Sequence, residues 1–211
     1  MAIQGDYAGN MPGGTGVLAK SNFGKALHVD GLMQIDGANQ SPGIGKVLTS
    51  DAGGNATWEG AVAFRASGVV GGGSEKIAKN VETKVPFNQE DYDLSNNYTY
   101  ANGSPHSTFT APVAGVYHFD VKLHWRYPFG ETAVQTVSIS LIRTRNNIVS
   151  TLSRSTSVTN SSVNGNDVSD DVQLMAGDQI SVSVYHDNFD YLDLFTSTDS
   201  NKFSGRLVMK L

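Results

Sequence analysis

The residues of this 211-residue chain best suited to chemistry are five histidines and a scattered set of carboxylates, and their spacing argues against catalysis. The histidines are His28, His106, His118, His124 and His186. His118 and His124 share strand parity, with Asp120 and Lys122 between them. Six residues along a strand cover about 20 Å, too far for one metal ion, so both read as solvent-face side chains. A His-Glu-x-x-His pair is missing, and a chain with no cysteine cannot build a thiolate zinc site. Gly71-Gly72-Gly73-Ser74 lacks the lysine of a phosphate loop, and no Gly-x-Ser-x-Gly elbow occurs. Paired carboxylates of the kind that cleave glycosides do not converge either. The expectation is a non-enzymatic protein.

Two other groups of residues could bind rather than react. Asp187, Asp190 and Asp193 fall within one short acidic stretch and could offer oxygen ligands to calcium. That stretch lacks the glycine and terminal glutamate of an EF-hand loop, so it reads equally as a solvated loop. Asp167, Asp170 and Asp171 carry the same ambiguity. No other cofactor is expected. Arg126, Tyr127 and Phe129 follow Trp125, and Phe189, Tyr191, Leu192 and Phe195 cluster late in the chain. Aromatic and arginine side chains concentrate binding energy at interfaces.

The elements that must position these residues are strands. Tyr117, Phe119, Val121, Leu123 and Trp125 alternate with His118, Asp120, Lys122 and His124. Val137, Ile139 and Leu141 repeat the pattern, as do Ile180, Val182 and Val184, with Val168, Val172 and Leu174 more loosely spaced. No segment sustains a 3.6-residue period. Many alternating strands in about 150 residues predict an all-β sandwich or jelly roll over residues 61–211. A net charge of -5 argues against a nucleic-acid partner, and no apolar run is long enough to insert in a membrane as a helix.

More than half of the 23 glycines precede Ala61, so the chain divides. Leu27, Val29, Met33 and Ile35 lie at period two. Lys46–Ser50 and Ala56–Trp58 flank Asp51-Ala52-Gly53-Gly54-Asn55, which reads as a hairpin turn. Residues 25–60 hold too few apolar side chains to bury a core alone. Three copies together could cover Leu27, Val29, Met33, Ile35, Val47, Leu48 and Trp58. This predicts a trimeric stalk over 25–60, preceded by an extended anchor over 1–24 that docks on other particle proteins.

Phe87, Asp93 and Tyr98 fit one half of a spaced aromatic signature, and Phe109, Gly115, Tyr117 and Phe119 fit the other. On these residues the head resembles the globular domain of the complement first component, subcomponent q, which shares its jelly roll with tumour necrosis factor. Two departures stand out. Tyr98 and Phe109 are about four residues further apart than the pattern allows, so Asn102-Gly103-Ser104-Pro105 reads as an inserted turn. Val121 also stands where another aromatic is expected. Leu174–Ile180 and the closing Phe203-Ser204-Gly205 are similar to that family too. Gly115 and Gly177-Asp178 read as turns between strands. Related heads often bind calcium, which is what the resemblance implies for the acidic loop. Gly45–Trp58 is similar to a repeat preceding the heads of tail-fibre and surface-fibre proteins of bacteroidetes and their phages.

In this jelly roll both chain ends lie at the base. Counting back from the last strand places the tip loops at Asp187–Asn201, Ser157–Asn166 and Arg126–Glu131. Arg126, Tyr127, Phe129, Phe189, Tyr191 and Phe195 are therefore the candidate receptor-binding residues. Met1–Tyr7 has neither a basic nor an apolar leader segment, so cytoplasmic assembly in a host is expected. The combined expectation is a homotrimeric fibre on a virion or other extracellular particle surface, whose tip binds a host glycan or protein. The alternatives are a decoration fibre without a specific ligand and a secreted complement-like adhesion module.

Overall fold

The structure is a computed structural model that describes residues 21–22, 24–25, 27–31, 33, 35, 46–50, 56–70, 74–126, 135–159, 163–187 and 191–211. The chain falls into two units, Met1–Pro42 and Gly43–Leu211. In the first, none of the described residues forms a strand; Leu27, Val29 and Met33 are exposed and Ile35 is half-buried.

Among the described residues of the second unit there are fifteen strands. They are β1 (Lys46–Ser50), β2 (Ala56–Gly60), β3 (Ala63–Ser67), β4 (Ser74–Ala78), β5 (Thr83–Lys84), β6 (Gln89–Asp93), β7 (Tyr98–Thr99) and β8 (Thr108–Thr110). They continue as β9 (Gly115–Arg126), β10 (Gln135–Arg145), β11 (Ile148–Thr159), β12 (Val163–Leu174), β13 (Gln179–His186), β14 (Tyr191–Phe195) and β15 (Lys202–Lys210). β1 and β2 form the expected hairpin, with Leu48 opposite Trp58 and Val47 opposite Glu59. The rest make two antiparallel sheets. One runs β11-β10-β13-β8-β7, with β5 also on β13. The other runs β4-β14-β9-β15-β3-β6, with β12 also on β9. Neighbours far apart in sequence, such as β3 with β15, are what a jelly roll produces.

Strand β9 shows why the sheets pack. Tyr117, Phe119, Val121, Leu123 and Trp125 are buried, and the residues between them face outward, as the alternation predicts. The core is unusually aromatic. The Phe64 ring stacks on Tyr98 at 4.7 Å and on Phe109 at 5.0 Å, and meets Phe203 edge-on at 4.9 Å. Such ring pairs contribute about 0.5–1.5 kcal/mol each beyond burial. Asp93 fixes the path into this cluster, since its carboxylate accepts the backbone N–H of Ser95 at 3.2 Å and of Tyr98 at 2.7 Å.

Three loop expectations are revised. Asp187–Asn201 is not one loop, because it contains β14, hydrogen-bonded to both β4 and β9. Leu192 and Leu194 fill the core, and Asp193 between them is buried as well, against Arg126. Ser157–Asn166 shrinks to the three residues between β11 and β12. Gly115 is not needed for a turn. It begins β9, and a Cβ there would lie 2.6 Å from both the Met209 carbonyl oxygen and Leu207 Cδ1, so close approach requires it. Gly177 does have the left-handed φ of +86° expected of its turn.

Candidate functional site

The second unit enters and leaves the sandwich at one end. Leu207 N–H donates to the Val62 carbonyl at 2.9 Å, and Leu211 N–H to Ala114 at 3.0 Å. β9 runs from this base toward the opposite tip, where its last residue, Arg126, pairs with Asp193 of β14. β14 and then β15 follow the same edge of β9, joined by a bend over 196–201. Asn201 pins that bend, because its amide donates to the Phe195 carbonyl and its Oδ1 accepts His124 N–H at 2.7 Å.

At the tip the structure brings together some of the expected binding residues. Arg126 is exposed, and its Nε lies 3.6 Å from Asp193 Oδ2. Lys76 and Arg126 both stand opposite Asp193 in register, and Lys76 Nζ sits 4.2 Å over the half-buried Tyr191 ring. Phe195 closes β14, half-buried at the level of Ser74. Tyr127, Phe129, Phe189 and Asp190 lie outside the described residues.

The calcium candidates are largely engaged elsewhere. Asp187 Oδ1 accepts Thr136 N–H at 3.0 Å, and Asp193 is buried against Arg126. Among the described residues no three His, Cys, Asp or Glu side chains are placed to hold a metal.

On the outer face of the sheet built on β9, a second constellation forms that the sequence reading missed. His118 Nδ1 lies 2.7 Å from Asp171 Oδ1, and its Nε2 is 3.1 Å from Asp120 Oδ2 and 3.4 Å from Ser169 Oγ. This places serine, histidine and aspartate in the order of a hydrolytic triad. Ser169, however, donates to Asp120 at 2.8 Å, which leaves it the weaker partner of the imidazole. β12 pairs with β9 along its whole length, with Asp171 opposite His118 and Ser169 opposite Asp120. The cluster is a polar network that ties β9 to β12 on the outer face of the sheet. The parity of His118 and Asp120 was visible in sequence; their meeting with β12 depends on the register of Asp171 opposite His118.

Toward Lys122 the same face opens into a concavity of about 500 Å³, whose lining includes Arg65, Tyr92, Lys122, Asp167 and Lys202. Elsewhere, burial holds the His186 imidazole below its ordinary range, although its Nε2 donates to the Ile77 carbonyl at 2.8 Å.

Comparison with known proteins fits this architecture. A family model for the C1q domain matches residues 69–208. The solved structure of Eiger TNF from S. frugiperda is 16% identical, with 72% of this chain and 94% of that one covered and a TM-score of 0.54. Murine APRIL at pH 8.5 is 16% identical over 70% of this chain and 99% of that one, at a TM-score of 0.52. The globular domain of zebrafish complement 1qA protein is 17% identical over 71% and 99%, at 0.47. No curated protein matches the sequence. Identities this low speak for the fold alone. The matched span holds Phe87, Asp93, Tyr98, Phe109, Gly115, Tyr117 and Phe119, and this chain belongs to the C1q domain family.

Proposed function

We propose that the chain builds a non-enzymatic homotrimeric fibre or spike of a phage or phage-like particle, whose head tip binds a glycan or protein on a host cell. The observation that carries the trimer is the β1–β2 hairpin. It is two-stranded, with Val47 and Leu48 exposed on opposite faces, and an isolated hairpin of this kind is marginal in water. Like copies would supply the missing cover. Residues 25–60 form the stalk in this reading, and residues 1–24 the anchor to other particle proteins. The particle setting rests on the likeness of Gly45–Trp58 to fibre repeats. Receptor binding draws support from the position of Arg126, Tyr191 and Phe195 at or near the end away from the base. Three tips on one stalk would strengthen weak attachment by about 10²–10⁴ where the target is repetitive.

A head fibre without a specific ligand is the second reading. It is favoured by the internal pairing of the tip, Arg126 with Asp193 and Lys76 with Tyr191. Binding of the full chain to host cells, against a Tyr127→Ala, Phe189→Ala, Tyr191→Ala triple variant, separates the two. Loss of cell binding in the variant supports a receptor tip, absent binding in both supports decoration, and equal binding in both moves the contact away from these three residues. Light scattering of the full chain tests the trimer, and a single-copy mass at micromolar concentration overturns it.

A further inference from the structure

On the outer face of the sheet built on β9, the concavity of about 500 Å³ carries a charge arrangement that its own residues leave uncompensated. Lys122 of β9 and Lys202 of β15 both line it and stand directly opposite each other in register. Like charges in that position repel. Asp167 faces Lys122 from β12, yet among the described residues neither lysine has an ion-pair partner. Asp120, in the same wall, accepts the Ser169 hydroxyl at 2.8 Å and lies 3.1 Å from His118. Toward β6, the register shift against β3 leaves Asp91 to hold Arg65 at 3.1 Å, and sets Tyr92 across from Arg65 with 44% of its surface exposed.

The mixture of groups narrows what would fit, in a volume that lies within the usual range for small-ligand sites. The two ammonium groups call for an anionic group between them. Asp120 and Asp167 repel a polymer densely charged along its length, such as a nucleic acid, and accept hydroxyl protons instead. Ser204 adds a further hydrogen-bonding group to the wall. The Tyr92 ring and the aliphatic stems of the lysines supply apolar surface on which the C–H face of a sugar ring packs. A hexuronate carries a single carboxylate, several hydroxyls and an apolar ring face, and so matches each part of this lining.

We propose that this concavity binds an acidic saccharide, with a uronate carboxylate between Lys122 and Lys202, ring hydroxyls on Asp167 and Ser204, and a ring face on Tyr92. The inference goes beyond the tip reading, since none of these residues belongs to the tip and binding here needs neither Tyr127 nor Phe189. The opposed lysines are then a binding device that destabilises the empty site, because their repulsion is relieved when the anion arrives.

In the test, the full-length chain is titrated calorimetrically at an ionic strength of about 0.15 M. The probes are oligomers of galacturonate, glucuronate and mannuronate, each beside its carboxyl-reduced neutral counterpart. The expected result is saturable binding of at least one acidic oligomer, roughly tenfold or more tighter than its neutral counterpart. Lys122→Gln combined with Lys202→Gln should weaken it by roughly tenfold or more, and Tyr92→Ala several-fold. The double lysine variant should melt no lower than wild type, and the Tyr127→Ala, Phe189→Ala, Tyr191→Ala variant should bind the oligomer as wild type does. Binding of none of the three acids, equal binding of the neutral oligomers, unchanged binding by the double lysine variant, or loss of binding in the tip variant overturns the inference. Absence of binding together with a changed mass in solution of the double lysine variant overturns it in favour of a contact between copies at this face.

Discussion

The carboxylate of Asp178 faces the guanidinium of Arg145 across two hydrogen bonds, Nε to Oδ1 at 2.6 Å and Nη2 to Oδ2 at 2.5 Å. Asp178 also accepts Met175 N–H at 2.9 Å, and almost none of its surface reaches solvent. One carboxylate thereby ties the turn between β12 and β13 to the far end of β10. The bidentate bond from Arg145 is the main cause that holds the Asp178 carboxyl below the usual carboxylate range.

Replacing Asp178 with Asn should therefore lower Tm by roughly 5 °C at neutral pH, since a charge-assisted contact and a turn anchor are lost together. Because the folded state favours the ionised form, the contribution is full above the ordinary carboxylate pKa of about 4 and fades as pH falls through the depressed folded value. Melting curves of wild type and Asp178→Asn should converge in strong acid. A gap that persists unchanged there would show that the ion pair is not its source.

His186 gives a second pH dependence, of a different group and range. Its imidazole is fully buried, with Nε2 bonded to the Ile77 carbonyl and Nδ1 without a partner. Burial lowers its pKa, so the unfolded chain binds the proton more readily. Stability should fall as pH drops below about 6.5 and continue to fall until the folded value is passed. His186→Gln should make denaturation midpoints flatter between pH 7 and 5. His106 and His124 are shifted the same way, so part of the slope should remain.

Gly205 is a packing requirement. A Cβ there would lie 2.5 Å from Phe119 ring carbons and 2.8 Å from Phe64. Gly205→Ala should cost about 1–3 kcal/mol in denaturant unfolding, the usual penalty for overfilling a close-packed core. A change below about 0.5 kcal/mol would mean the two rings yield freely.

The hairpin makes the fourth prediction. Leu48→Asp in the full chain should raise the concentration at which copies separate at least tenfold while leaving the circular dichroism of the head intact. An unchanged dissociation profile would remove the hairpin from the assembly.

How much of this was legible in sequence depends on how each residue meets its neighbours. The β9 alternation and the spaced aromatics reported the sandwich directly, because a strand buried on one face writes its burial into every second residue. The hairpin was equally plain from Asp51–Asn55 between two short strands. β14 was hidden, since it is only five residues long and its aromatic ends, Tyr191 and Phe195, read as a binding loop, while its pairing with β4 and β9 is decided by residues more than sixty positions away. The same holds for His118 with Asp171, each visible by itself and joined only by register, while Arg145, the partner of Asp178, gave no local signal at all.

The common end at which Val62 and Leu211 leave the sandwich has a mechanical consequence. Tension that enters through the chain preceding Val62 reaches β3 along its own axis, against a neighbour, β15, anchored to β9. The five rungs from Ala63–Arg206 to Ser67–Lys202 are then loaded side by side in shear instead of being peeled one at a time. A sandwich pulled from that end would resist as a rivet row does, failing late and all at once.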